Sequence, residues 1–430
     1  MALTTSDPFS RLKALQRPAA SSSIRKAGAQ RSKHGADDDS SLSDSVAKRL
    51  GGTLEKNEYG EYVKISQWFA EPQPVAVEPA TLHLLRPDAE DVTTDLRQWV
   101  FLDTETTGLA GGTGTYAFLV GIAWWDGIGL QVEQYFMRDL NEELPVLSAL
   151  ANRIDNRRVL ITFNGKCFDW PLLQTRYRMT RKISVPEPIA HFDFLHPARN
   201  LWRLRLGSVR LAELERHVLG WDRGADIPSD LIPGIYLDFI RGGAAEPLVP
   251  IIRHNQMDLR SLAALSTHVL SLLADPEEFG RDPLEVYGAS RIYERSGEPK
   301  RARSLYEHAI ASSLPVAMDR AARMSVALLA KRAGDYSVAV DHWGKTAGTS
   351  KEGFRAYEEL AIYYEHRRRE CQRALEITRD ALSRLRDAYR LGAIVPTTYR
   401  HYKSRFEHRL ARLEGKCHAP LLQMATVRDL

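Results

Sequence analysis

Asp103 and Glu105 lie two residues apart at the end of the apolar run WVFL. On a strand, alternate side chains point to the same face, so the two carboxylates project together. Two ionised carboxylates side by side repel, and burying them is costly unless a cation lies between them. Ligands that are all oxygen favour Mg²⁺ or Mn²⁺. The plainer reading is an exposed acidic turn after a strand, and D-x-E alone does not separate the two. A second candidate is FNGKCFDWPLL, where the run RVLITF ends in Asn164-Gly165 and Asp169 opens a helical pattern. An aspartate there is equally suited to capping the helix. In IIRHNQMDLRSLAALSTHVLSLL, His254 and Asp258 stand at i and i+4 of a helical pattern and can meet one ligand. A histidine beside a metal-binding carboxylate can take a proton from attacking water; in isolation, it is more simply a surface or core residue. Asp193 is an alternative to Asp169, and His196 an alternative to His254.

These residues need elements that bring them together. WVFLDTETTGL reads as a buried strand entering a polar turn. Tyr116 to Trp125 and Leu130 to Met137 read as two more strands, joined at Asp126-Gly127. NEELPVLSALANRID has apolar residues at helical spacing with acidic residues in its first turn, RVLITF is a short buried strand, and FDWPLLQTRYRM starts another helix. Tyr59 to Phe69 alternates weakly, as a short strand or hairpin does. Three strands followed by helix, strand and helix read as an α/β domain and resemble the opening order of a ribonuclease H-like fold.

Taken together, a strand D-x-E, N-x4-D at a strand-to-helix junction and a helix with a basic residue before Asp resemble the DEDD exonuclease superfamily, from Trp99 to about Leu273. HFDFLHPARNLW, LGSVRLAELERHVLG and DIPSDLIPGIYLDFIRGG resemble the YprB-like group of ribonuclease H-like proteins, in which tetratricopeptide repeats follow the nuclease-like domain. The resemblance implies 3′-5′ hydrolysis of phosphodiester bonds in single-stranded DNA or RNA with two Mg²⁺ or Mn²⁺ ions. It implies that Asp103 bridges both ions, that Glu105 and Asp258 hold the one on the nucleophile side, and that Asp169 supports the other. His254 then orients or deprotonates water, while Thr106, Thr107, Leu109 and Asn164 touch the terminal nucleotide. One departure stands out: His254 is four residues before Asp258, the register of the superfamily's tyrosine branch, not the five of its histidine branch. The competing readings are a catalytically weak or silent scaffold and an endonuclease using the same carboxylates.

Composition sets the frame. Of 430 residues, 43% are hydrophobic and 27% charged, the balance of an ordinary soluble protein. The absence of a long apolar run and of a secretory-type N-terminus predicts a cytoplasmic protein. Three dispersed cysteines, Cys167, Cys371 and Cys417, argue against a disulfide framework and fit a reducing compartment. Residues 51–280 carry 22 Lys/Arg against 31 Asp/Glu, while both flanks are basic. An acidic middle suits carboxylates gathered around metal, and basic flanks suit a polyanion. Residues 1–51 read as a disordered basic tail, 52–98 as a short strand and linker, and 99–275 as an α/β domain, a mixed sheet flanked by helices. Residues 281–415 read as an all-α tetratricopeptide-like repeat domain, and 416–430 as a tail. The repeats show in Tyr293, Gly297, Ala302, Tyr306 and Ala309, in Gly334, Tyr336, Ala339 and Trp343, and in Ala374 and Ala381. A protein partner on their concave surface is expected. The clusters Arg367-Arg368-Arg369 and Arg384 to Arg390 are the alternative, as phosphate contacts.

Overall fold

The computed structural model describes residues 45–71, 77–86, 92–108, 113–155 and 159–425. Seven strands form one sheet: β1 (Thr53–Asn57), β2 (Gly60–Phe69), β3 (Trp99–Thr106), β4 (Ala117–Trp125), β5 (Leu130–Phe136), β6 (Val159–Thr162) and β7 (Ala190–Asp193). Their order is β1-β2-β5-β4-β3-β6-β7. β3 pairs antiparallel with β4 and parallel with β6, so the strand bearing D-x-E is central. Its first four residues are buried and the rest half-buried, as a strand must be that starts in the core and ends at a site.

Period-two alternation sends the side chains of β3 to two cores. Val100 and Leu102 pack with helices α2 (Glu143–Ile154) and α3 (Asp169–Thr180) on one face. Trp99 and Phe101 face the other core, with α1 (Pro79–Leu85), α4 (Leu195–Leu206) and the long helix α6 (Val249–Ala274). Asp103 and Glu105 share the parity of Trp99 and Phe101, so they point toward α6. Helix α5 (Ile232–Ile240) covers the β1–β2 end of the sheet, packing Ile232 and Tyr236 on Phe118 and Phe136. The hairpin β1–β2, expected as a short strand or hairpin within a linker segment, continues the same sheet through β5.

The chain boundaries differ from the sequence reading at both ends. Residues 46–49 are helical, and Ala47 and Leu50 are buried against Val63 and Phe136, so order begins before Gly51. Residues 1–44 of the expected tail lie outside the described residues. At the other end, helix α13 (Pro396–Ala425) runs through most of the segment read as a tail.

Beyond the sheet, α7 (Pro283–Arg295), α8 (Pro299–Ala311), α9 (Val316–Arg332), α10 (Tyr336–Thr346), α11 (Lys351–Ile362) and α12 (Cys371–Arg390) precede α13. This helical region is compatible with the tetratricopeptide spacing. Ala302, Tyr306, Ala309, Ala339, Trp343, Ala374 and Ala381 are all buried. Gly297 and Gly334 hold φ of +88° and +81° in the turns between helices, a conformation that costs glycine little. Cys371 and Cys417 are disulfide-bonded, with Cα atoms 5.9 Å apart. This single bridge was not foreseen in the expectation of no disulfide framework. That expectation weighed spacing along the chain, whereas an antiparallel helix pair brings together residues 46 apart. The inference of a reducing compartment loses its support with it. No helix among the described residues is long and apolar enough to cross a membrane.

The sheet and the helical region share a core. Ala289 and Ile292 of α7 pack with Leu201 and Trp202 of α4. Buried Glu285 accepts from Trp202 Nε1 (2.9 Å) and pairs with Arg205 (2.6 Å). At Gly288 the helices touch so closely that an added Cβ lies 2.4 Å from the Asn200 carbonyl oxygen. Gly288→Ala must push α7 off α4, and about 1–3 kcal/mol of stability should be lost. Calorimetry checks this; an unchanged Tm would show that the junction is loose.

Candidate active site

Three remote segments meet at the end of β3. Asp103 and Glu105 come from β3, Asp169 from the first residue of α3, and His254 and Asp258 from one face of α6. The i, i+4 register places His254 Nε2 3.6 Å from Asp258 Oδ2, and 3.8 Å from Glu105 Oε1. Helix α6 approaches because β4 offers no side chain at Gly121, where a Cβ would meet Asn255 Oδ1 at 2.1 Å. Thr104, on the opposite parity of β3, donates its hydroxyl to Asp169 Oδ1 and so ties α3 to the strand.

The carboxylates destabilise one another's charge. Burial pushes Asp103 well above the usual carboxylate range, and Asp258, Asp169 and Glu105 add to the shift. Glu105 is raised in the same way, by burial first and then by Asp258, Asp169 and Asp226. Burial raises Asp169 to about 6, against hydrogen bonds from Thr104. Asp258 is raised by burial too, opposed by His254 and Arg223. All four therefore lie in one electrostatic environment that is short of positive charge.

Four residues absent from the sequence reading complete the arrangement. Asn255 donates to Asp103 Oδ2 (2.7 Å), and Gln134 of β5 donates to Asn255 Oδ1 (2.7 Å) and to the Ile252 carbonyl (2.9 Å). This relay fixes the Asp103 carboxylate. Arg223 bonds both oxygens of buried Glu215, pairs with Asp226 (3.0 Å) and donates to Asp258 Oδ1. Asp226 meets His254 Nδ1 at 2.8 and 2.9 Å. Burial opposes the Asp226 charge, but His254 and Arg223 hold its pKa below the usual value. With a proton on Nδ1 directed to Asp226, Nε2 is left facing the carboxylates. Asn255 stands inside the HNQMD text, but nothing in WDRGAD marks Arg223 or Asp226 as site residues.

A cavity of about 740 Å³ opens on this cluster. His254, Asp258, Arg223 and Asp226 line one side of it, with Asn164 and Phe163 beside them, while Asp103, Glu105 and Asp169 are not part of its wall. Asn164 adopts φ of +69°, and its backbone N–H donates to Asp193. Asp193 also accepts from the backbone of Lys166 and Leu195, so its oxygens hold the β6 turn. Its role here is structural, and the geometry favours Asp169 over it. His196 is exposed and outside the cavity. Thr106 and Thr107 spend their hydroxyls on the β3–β4 turn, on Gly108 O and Tyr116 N, and neither lines the cavity. Leu109 lies outside the described residues.

The donor set suits a hard divalent cation: buried oxygens whose mutual repulsion one guanidinium only partly offsets. A finished cage is not in place, since Arg223 holds Asp258 and Asn255 holds Asp103. Among the described residues, no group of three or more His, Cys, Asp or Glu side chains stands ready to hold a metal.

The family described as RNase_H superfamily matches residues 100–270. The uncharacterized protein YprB of Bacillus subtilis (strain 168) is 32% identical over 287 residues, 66% of this chain and 68% of that protein. The family B DNA polymerase of Pyrobaculum calidifontis aligns with a TM-score of 0.34 at 16% identity, covering 58% of this chain and 33% of the polymerase, too little to carry a functional argument. With the matched superfamily domain and an identity that spans two thirds of the relative, the chain belongs to the YprB family of ribonuclease H-superfamily proteins.

Proposed function

We propose that this protein is a divalent-metal-dependent 3′-5′ exonuclease acting on single-stranded DNA or RNA. The observation that carries the reading is that Asp103, Glu105, Asp169 and Asp258, from three separate segments, lie within electrostatic range of one another, with His254 Nε2 beside Glu105 and Asp258 and a cavity bordered by His254 and Asp258. The 3′-5′ direction rests on the order and spacing of the DEDD-like motifs.

Asp103, Glu105, Asp169 and Asp258 would hold Mg²⁺ or Mn²⁺, two ions by the motif resemblance. Bound there, the cations would stabilise charge on the phosphoryl oxygens and lower the pKa of the attacking water. His254 Nε2 takes the proton from that water, and Asp226 keeps the ring in the required tautomer and orientation. The Asn255–Gln134 relay stops Asp103 from swinging out of the cluster. Arg223 serves as the internal counter-ion of Asp258 and is placed to pair with a substrate phosphate on the cavity side.

Asp226→Asn keeps the volume but removes the charge that orients His254. Cleavage should fall roughly 10- to 100-fold, the usual cost of losing an outer partner of this kind. Steady-state kinetics with His254→Ala and the double variant check it. If the two losses add in full, Asp226 does not act through His254.

The experiment that tests the reading uses one oligonucleotide labelled at its 5′ or its 3′ end, with Mn²⁺. The proposal expects a ladder of shortening 5′-labelled strands and release of the 3′ label as a mononucleotide. Defined internal cuts would indicate an endonuclease instead. A second reading, a silent scaffold that recruits a protein through the helical region, draws on the guanidinium of Arg223 seated on Asp258. Intact oligonucleotide under every metal condition would favour it.

A further inference from the structure

Basic residues also line this cavity. Arg199 and Arg203 of α4 and Arg210 after it line the same 740 Å³ space that His254 and Asp258 border. All three are exposed, and none has an ion pair or side-chain hydrogen bond among the described residues. Their neighbour Arg205 behaves differently, being committed to Glu285. Most arginines in the clusters that the sequence offers as phosphate contacts are committed too. Arg368 pairs with Glu370, Arg384 with Asp380, Arg386 with Glu407 and Arg390 with Asp387, while Arg367 stacks on Tyr336.

We propose that Arg199, Arg203 and Arg210 form a phosphate track that holds the backbone of a nucleic-acid strand whose end enters the carboxylate cluster. The inference rests on the exonuclease reading and extends it by naming the groups that bind the strand. Three arguments support it. Residues 51–280 are acidic overall, so a polyanion approaching the carboxylates is repelled unless a local field opposes that charge. Arg199 and Arg203 are one helical turn apart, about 6 Å along the axis, and present two guanidinium forks in sequence along one wall. Arginine pairs with phosphate oxygens through two parallel hydrogen bonds, so an unpartnered row of them beside a phosphoryl-transfer site matches a repeating phosphodiester. Such contacts position a strand without reading its bases, so binding should be indifferent to sequence.

The test measures the affinity of the full chain for a fluorescent single-stranded oligonucleotide across a salt series, with Ca²⁺ replacing Mn²⁺ to suppress turnover. Three phosphate contacts contribute a slope of about 2 in log affinity against log salt, at roughly 0.7 per contact for single strands. The variant with Arg199, Arg203 and Arg210 all changed to Ala should lose that slope. The matching triple Lys variant, which keeps the charge, should retain most of it. In Mn²⁺, the triple Ala variant should cleave the p-nitrophenyl ester of thymidine 5′-monophosphate at the wild-type kcat/KM, because that substrate has no upstream phosphates. An unchanged slope in the Ala variant, or no binding by the wild type, overturns the track. Wild-type cleavage with an unchanged slope removes the track and leaves the exonuclease reading standing. Arginine-dependent binding without cleavage of either substrate does the reverse.

Discussion

Asp103→Asn should lower the rate of oligonucleotide cleavage by roughly 10²- to 10³-fold, the scale of removing one electrostatic group from a preorganised site, while making the metal-free protein more stable. The first effect follows from position. Asp103 sits at the centre of the cluster, with its carboxylate fixed by Asn255 and in electrostatic range of the other three. The second follows from the shifts. Asp103, Glu105 and Asp169 are raised above their ordinary values, Asp169 to about 6, so the folded chain binds more protons than the unfolded one across that window. The stability they contribute is present at low pH and is lost as pH rises from about 4 through the folded values. Near neutral pH, without metal, the native state therefore carries the cost of burying these carboxylates and, after that, of their mutual repulsion. Removing one charge should raise Tm by roughly 2–4 °C per kcal/mol relieved. Melts in chelator and single-turnover cleavage in Mn²⁺ read the two effects separately. A variant that loses both activity and stability would make Asp103 a structural residue.

Arg223→Ala should have the largest effect on stability. Glu215 is 1% exposed and has Arg223 on both of its oxygens, so the substitution leaves a carboxylate buried without a counter-charge. Breaking a buried pair in this way costs about 3–5 kcal/mol, because the remaining ion keeps its desolvation penalty. Arg223→Lys should recover little of it, since one ammonium cannot serve Glu215, Asp226 and Asp258 at once. Replacing both members, as Arg223→Met with Glu215→Leu, should recover most of the loss, because apolar groups of similar size often substitute for a buried ion pair. In that double variant Asp258 has also lost its internal counter-ion, so Mn²⁺ should bind more tightly than it does to the wild type. Denaturant titration measures the stabilities. Equal stability of the single Ala variant and the wild type would show that Glu215 reaches solvent.

What is legible in the sequence is what local physics decides. D-x-E on β3 and His254 with Asp258 on α6 were legible because strand and helix periods alone decide which side chains share a face. Asp169 was legible only as a choice against an N-cap or Asp193, and the three backbone hydrogen bonds to Asp193 now weigh on that choice. Asn255 and Gln134 were not legible as a relay, because their contact joins residues 121 apart and depends on the missing side chain at Gly121. Arg223 and Asp226 sit in an aperiodic loop, where no pattern says which way a side chain turns. The hairpin β1–β2 was under-read for a different reason. It lies at the sheet edge, where exposed and half-buried residues blur the alternation, as the pattern of β1 shows. The surface arginines are the clearest contrast. Most arginines of the clusters conspicuous in the repeats are held by carboxylates or an aromatic ring, while three arginines scattered from Arg199 to Arg210 line one cavity.

Titrating Mn²⁺ into the metal-free full chain, with the free ion followed by electron paramagnetic resonance, bears most directly on whether these side chains gather to receive a divalent cation. The account predicts saturable binding by the wild type that is lost in Asp103→Asn and weakened in Asp258→Asn, with Mg²⁺ competing. Binding that is absent from the wild type, or unchanged in both variants, would contradict it.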